Sequence, residues 1–228
     1  MTVGDPNRAR LTSVATALGD AGSELVFLGG SVVGLLLTDL AAPRIRETKD
    51  VDCVVHAVTR ADYDTRVRGM LRARGFVEMN EPAVPLCAWT RSGIRLDVMP
   101  LEESVLGFSN RWYRYAWHHP LEVALGDVSI QVVSAPVFIA TKLEAFNNRG
   151  DRDFRASHDL EDIVAVVDGR REVVEEIQQA PPEVRTFVRS ELERMLGDQD
   201  FLDALPGHVV DPGREPIVLR RLRSLLLS

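Results

Sequence analysis

The stretch that decides the fold is Leu25–Val55, LVFLGGSVVGLLLTDLAAPRIRETKDVDCVV. A short apolar run, Leu25 to Leu28, ends in Gly29-Gly30-Ser31, and Val32 to Leu40 carries a helical apolar pattern. A polar loop with Arg44, Arg46 and Lys49 leads into Asp50-Val51-Asp52 and the apolar run Cys53-Val54-Val55. The reading is strand, glycine turn, helix, loop, strand. Side chains at i and i+2 of a strand share a face, so Asp50 and Asp52 converge while Val51 and Cys53 point into the core. Two adjacent carboxylates are costly without a cation, and a hard divalent metal with oxygen ligands compensates them. At the other end, Gly29 and Gly30 allow close backbone approach, Ser31 offers a hydroxyl, and the helix that starts there presents unpaired N–H groups. One segment can therefore hold a nucleotide's phosphates on one side and its metals on the other. The alternative is a strand-turn-helix whose acids only solvate a strand end; GGS followed by Asp-x-Asp at a strand start favours the ligand site.

Working outward, 228 residues with 45% apolar content suffice for one α/β domain with a helical extension, or for two small domains. No run of about 18 or more apolar residues suggests a membrane span, and MTVGDPNRAR lacks a signal-peptide core. Cys53 and Cys87 lie in apolar strand-like runs and read as buried thiols in a reducing compartment, so a cytoplasmic location is expected. The net charge of −7 argues against broad, non-specific nucleic-acid binding while leaving room for a local basic patch. Only two of the 27 basic residues are lysines, Lys49 and Lys142. Lysine suits a point contact with phosphate, which singles out both positions.

The apolar spacing predicts a helix from about Asn7 to Gly22. A second, capped by Thr59 and stopped by Gly75, carries an arginine face read as solvated. Val84 to Thr90 and Ile94 to Met99 read as strands joined by the Arg91-Ser92-Gly93 turn. The second of these carries Asp97 on one face with Arg95 and Met99. Asp97 is either salt-bridged to a neighbouring arginine or a third metal-side carboxylate facing Asp50 and Asp52; the Asp pair favours the second. Residues 108–120, FSNRWYRYAWHHP, concentrate aromatics and cations, which either stack bases and hold phosphates or pack a loop on the sheet. A hairpin follows over Leu121–Leu125 and Val128–Val133. Ser134-Ala135-Pro136 then opens a helix with Lys142 on an apolar surface, closed by Gly150. Asp159 and Asp162 lie one turn apart on the next helix. Further helices are expected at about 171–179, 182–197, 199–205 and 216–227, with a soft boundary near Ala135 where strands give way to helices.

Leu28-Gly29-Gly30-Ser31, Thr48-Lys49-Asp50-Val51-Asp52-Cys53 and Leu96-Asp97-Val98 resemble the hGGS, Asp-h-Asp and h-Asp-h elements of the nucleotidyltransferase superfamily, the DNA polymerase β-like fold. Lys142-Leu143-Glu144-Ala145, then Arg149, Arg152 and Arg155, then Asp159-Leu160-Glu161-Asp162-Ile163 are similar to the AbiEii/AbiGii-type toxin nucleotidyltransferases, which include the MenT toxins. The likeness spans about residues 24–168. Where a basic residue would precede Asp159, this chain has Ala-Ser-His. The resemblance implies an α/β fold with a mixed central sheet flanked by helices. Residues 1–134 would form the catalytic core, and 135–228 a helical region packed on it and completing the active site. It implies Mg²⁺ or Mn²⁺ held by Asp50, Asp52 and Asp97, and a nucleoside triphosphate contacted by Gly29, Gly30, Ser31, Lys49 and Lys142. Asp159 would orient the acceptor. The implied reaction moves a nucleoside monophosphate to a hydroxyl, at an RNA (tRNA 3′) end, in a toxin with an antitoxin partner. Transfer to a small molecule or protein, or a non-catalytic module of the same fold, are the alternatives.

Overall fold

The computed structural model describes residues 5–149 and 153–226. Its contacts divide the chain into two units. Pro6–Val32 with Arg46–Ser134 form a sheet unit, and Met1–Asp5, Val33–Ile45 and Ala135–Ser228 form a helical unit.

The sheet unit holds seven strands: β1 Val26–Leu28, β2 Asp50–Val55, β3 Val77–Glu78, β4 Ala88–Arg91, β5 Ile94–Pro100, β6 Leu121–Leu125 and β7 Val128–Val132. They lie in the order β3-β4-β5-β2-β1-β7-β6. β2 runs parallel to β5, and β1 parallel to β7; the other neighbours are antiparallel. The sheet is therefore mixed, as expected. Alternation along β2 puts Val51, Cys53 and Val55 at zero exposure on one face and Asp50 and Asp52 half-buried on the other. Helix Arg8–Leu18 buries Leu11, Val14, Ala15 and Leu18, and a 3₁₀ segment, Gly19–Glu24, carries the chain into β1. Thr59 caps the helical stretch as predicted, its hydroxyl accepting from the Asp62 N–H. That stretch passes through a π-helical turn at Tyr63–Val67, and the buried Tyr63 hydroxyl donates to the Val98 carbonyl at 2.7 Å. The arginine face is occupied by ion pairs: Arg60 with Asp64, Arg66 with Asp62 and Glu24, and Arg68 and Arg72 with Glu78.

Two local expectations are corrected here. β4 starts at Ala88, not Val84, because Pro85 cannot donate to a ladder. The helix expected over Val32–Leu40 is a 3₁₀ turn, Gly30–Val32, followed by only four α-helical residues, Val33–Leu36. Flanking glycines and β-branched residues give this segment low helix propensity. So short a helix carries little dipole, and the phosphate seat argued from it loses that support. The two cysteines are free and buried, as expected. Burial pushes the Cys87 thiol up to about 12 and the Cys53 thiol well above the usual thiol range.

The helical unit consists of Val33–Leu36, Ala135–Asn148, His158–Gly169, Val173–Gln179, Pro182–Leu196, Gln199–His208 and Glu215–Ser224. Phe146 stacks on Phe154 at 5.5 Å, and Phe154 meets Phe201 edge-on at 5.6 Å. After Leu36 the chain is turned away from helix: Thr38 and Asp39 N–H both donate to the Gly169 carbonyl, at 3.0 and 2.8 Å. Arg214 joins Asp168 at 2.8 Å and Asp39 at 2.9 Å, and Arg171 takes the other Asp39 oxygen at 3.0 Å. Arg221 donates to the Val167 and Asp168 carbonyls, satisfying acceptors that the end of helix His158–Gly169 leaves open. Gly150, predicted to close the helix before it, and Arg152 lie outside the described residues. Among the described residues, no helix is long and apolar enough to cross a membrane.

Candidate metal centre

Register builds the centre. β2 and β5 pair in parallel with Asp52 opposite Asp97 and Asp50 opposite Arg95. Residues paired across parallel strands point to the same side, so the three acids share one face of the sheet. One carboxylate oxygen from each of Asp50, Asp52 and Asp97 lies within 4.8 Å of the others. Oxygens sharing a single Mg²⁺ at about 2.0–2.1 Å lie no more than about 4.2 Å apart, so small side-chain rotations bring the set to octahedral range. Acidic oxygens with no soft donor among them suit a hard cation.

Two features of the surroundings position these acids. Gly29 follows β1 with φ of 75°, and a Cβ there would lie 2.0 Å from the Asp52 Oδ2. The glycine is required because the Asp52 carboxylate rests on it, a closer neighbour than any ligand the sequence suggested. The loop into β2 is pinned from helix Arg8–Leu18 and the residue before it. Asn7 is fully buried; its Oδ1 accepts from the Thr48 N–H at 2.9 Å and its Nδ2 donates to the Arg46 carbonyl at 3.1 Å. Arg10 donates to the Thr48 carbonyl. The Thr48 hydroxyl donates to the Asp50 carbonyl at 3.1 Å, so the strand enters at a fixed register. Among the described residues, the Ser31 hydroxyl is buried with no hydrogen-bond partner. Such an orphan costs about 1–3 kcal/mol, an amount a bound oxygen donor or acceptor would return.

Arg95 is the counter-ion of the cluster. Its guanidinium grips Asp97 with both arms, Nε to Oδ1 at 2.7 Å and NH2 to Oδ2 at 2.6 Å. The hydrogen bonds to Asp97 raise the Arg95 pKa, with a further contribution from the Asp50 charge. The salt bridge weighed for Asp97 is thus present, and Asp97 is also within reach of the other two acids. The protein supplies its own counter-ion to the cluster. The signal was in the sequence, since Arg95 stands two residues before Asp97 on the same strand face. Asn7 and Arg10 gave no signal, because their partners lie 39 and 38 residues away. Lys49, adjacent to Asp50, is exposed.

Lys142 and Asp159 belong to the helical unit, where they meet each other. Lys142 is buried, with Nζ 3.2 Å from Asp159 and 2.7 Å from Asp162, and Arg149 adds a contact to Asp159 at 3.0 Å. Ser157 caps the helix that carries Asp159, its hydroxyl accepting from the Leu160 N–H at 3.3 Å. A cavity of about 220 Å³, lined among others by Phe146, Arg149, Ser157, His158 and Asp159, opens beside this cluster.

No family model and no curated protein matches the chain. Among solved structures it is similar to that of an antigenic nucleotidyltransferase-like protein from Paracoccidioides brasiliensis, at 17% identity and a TM-score of 0.49, over 88% of this chain and 94% of that one. It is similar also to a candidate nucleotidyltransferase from H. pylori, at 11% identity and a TM-score of 0.47, over 100% of this chain and 95% of that one.

Proposed function

We propose that the chain is a metal-dependent nucleotidyltransferase that moves a nucleoside monophosphate from a nucleoside triphosphate to an acceptor hydroxyl. The observation that carries this reading is the register of β2 against β5, which brings Asp50, Asp52 and Asp97 to one face within reach of a common cation. A bound Mg²⁺ or Mn²⁺ would neutralise the triphosphate and stabilise the attacking and leaving oxygens of an in-line displacement. Asp50 and Asp52 hold the metal in this account. Asp97 completes the set or takes the proton from the acceptor hydroxyl, pyrophosphate being the leaving group. Gly29 seats Asp52, Gly30 and Ser31 face the β- and γ-phosphates, and Lys49 adds positive charge at the loop. The earlier resemblance gives Lys142 a triphosphate contact and Asp159 an acceptor-orienting role. In the structure Lys142 is paired with Asp159 and Asp162, and a cavity of the helical unit opens beside Asp159.

The acceptor in this reading is an RNA 3′ end, a tRNA in particular, and the biological role that of a toxin with an antitoxin partner. Arg44, Arg111, Arg114, Arg149 and Arg155 are exposed cations suited to phosphate contacts. The net charge of −7 favours the second reading, transfer to a small-molecule or protein hydroxyl. Incubation with Mg²⁺, total RNA and each α-labelled nucleoside triphosphate in turn tests the proposal. Label entering RNA with the wild type and not with Asp52→Ala is the expected result. Equal labelling by the two proteins would sink it.

A further inference from the structure

The segment after β5 places its aromatics in a pattern that packing alone does not require. Two of the three tryptophans and two of the three tyrosines fall within residues 112–117, so the short helix Tyr113–His118 is mostly aromatic. Ala116 in the helix and Trp112 just before it are buried. The approach is held as well. The Ser109 hydroxyl donates to the Leu101 carbonyl at 2.7 Å, and the Asn110 side chain accepts from the Trp112 N–H at 3.0 Å. Tyr113 and Trp117, one turn apart, form a second stripe that stays half-buried.

That stripe starts beside the carboxylates. The Tyr113 hydroxyl meets the Met99 sulfur at 3.1 Å, and Met99 sits two residues beyond Asp97 on the same face, roughly 6.6 Å along the strand. Trp117 lies 6.1 Å from the exposed ring of His56, which directly follows β2, roughly 13 Å along from Asp52. Arg111 lies over the Trp112 ring at 4.9 Å and is exposed, as are Arg114, His118 and His119. Half-covered aromatic rings with arginines at their margin are what single-stranded nucleic acid stacks on.

We propose that Tyr113 and Trp117, with Met99 and His56 at their ends, form a stacking platform for a nucleobase beside the carboxylate cluster. The inference rests on the transferase reading for its substrate, and the base comes either from the acceptor RNA end or from the nucleoside triphosphate. Binding is measured in EDTA, so that the metal centre is silent. Trp89 and Trp112 are buried, which leaves Trp117 as the reporter accessible to a stacked base. Short single-stranded RNA or AMP should quench the tryptophan emission saturably. Trp117→Phe should lose the quench and keep affinity within about threefold, while Trp117→Ala should weaken binding about 5- to 150-fold. Quenching by RNA alone assigns the platform to the acceptor; quenching by AMP at comparable concentration assigns it to the nucleotide. No quench by either, or equal affinity of Trp117→Ala and wild type, overturns the platform. Failure of transfer in the wild type while quenching persists overturns the transferase reading and leaves the platform standing.

Discussion

Replacing Arg95 with methionine should tighten divalent-metal binding. Arg95 holds both oxygens of Asp97, at 2.7 and 2.6 Å, and any cation that takes Asp97 as a ligand must loosen that grip. A hydrogen bond to a charged group is worth about 1.5–3 kcal/mol. The Arg95 side chain is 31% exposed against 9% for Asp97, so solvent screening brings the whole bidentate pair down to about that same range. At about 1.4 kcal/mol per factor of ten, losing this competitor should raise Mn²⁺ or Mg²⁺ affinity about 10- to 100-fold. Methionine keeps most of the apolar stem and removes the charge. Calorimetric titration of nucleotide-free protein with Mn²⁺ gives the answer directly, with denaturant unfolding as the control. The metal-free variant should be less stable than the wild type, because three carboxylates then face one another without their arginine. Unchanged or weaker metal binding by a folded Arg95→Met protein would refute the competition and remove Asp97 from the ligand set.

Gly29→Ala should lose metal affinity out of proportion to its stability cost. The positive φ adds about 1–2 kcal/mol, but the new methyl would sit 2.0 Å from the Asp52 Oδ2 and displace that ligand; a Mn²⁺ titration beside a urea melt separates the two effects. Lys142→Met should destabilise by about 3–5 kcal/mol, since it removes the cation that sits between the buried Asp159 and Asp162 carboxylates; equilibrium unfolding measures it. Asp39 has its pKa held below the usual carboxylate value, first by the Arg214 hydrogen bond, then by the Ala41 N–H and Arg171. Its folded pKa is depressed, so its contribution is complete above the ordinary value near about 3.9 and fades as pH falls below it. Asp39→Asn should therefore lower stability at pH 7 by about 1–3 kcal/mol and flatten the acid limb of the stability profile below about pH 4.

The parts legible in the sequence were those that short-range rules govern. Alternation in Asp50-Val51-Asp52-Cys53 placed acids and core on opposite faces, and the structure has them so. Thr59, the 121–132 hairpin, and the start of helix Ala135–Asn148 follow from local turn and cap chemistry. The segment after Gly30 has the apolar spacing of a full helix, but the Gly169 carbonyl captures the Thr38 and Asp39 N–H groups from far along the chain. Ser157 caps the helix His158–Gly169, while Lys142 and Arg149 claim the Asp159 carboxylate from an earlier helix and its end. The Asn7 and Arg10 clamps on Thr48 are likewise tertiary, invisible to any window on the sequence. Arg95 differs in kind. Its position was plain, but whether its fork would close on Asp97 depended on the pleat that sets both side chains on one face.

The central claim is that Asp50 and Asp52 hold a cation that serves phosphoryl chemistry. It is tested most directly by adding Mg²⁺, RNA and α-labelled nucleoside triphosphates to wild type and to Asp52→Ala, with folding of both checked by their thermal melts. The account predicts Mg²⁺-dependent label in RNA and release of pyrophosphate with the wild type, both abolished in the variant and by EDTA. Labelling that survives Asp52→Ala or EDTA would contradict it.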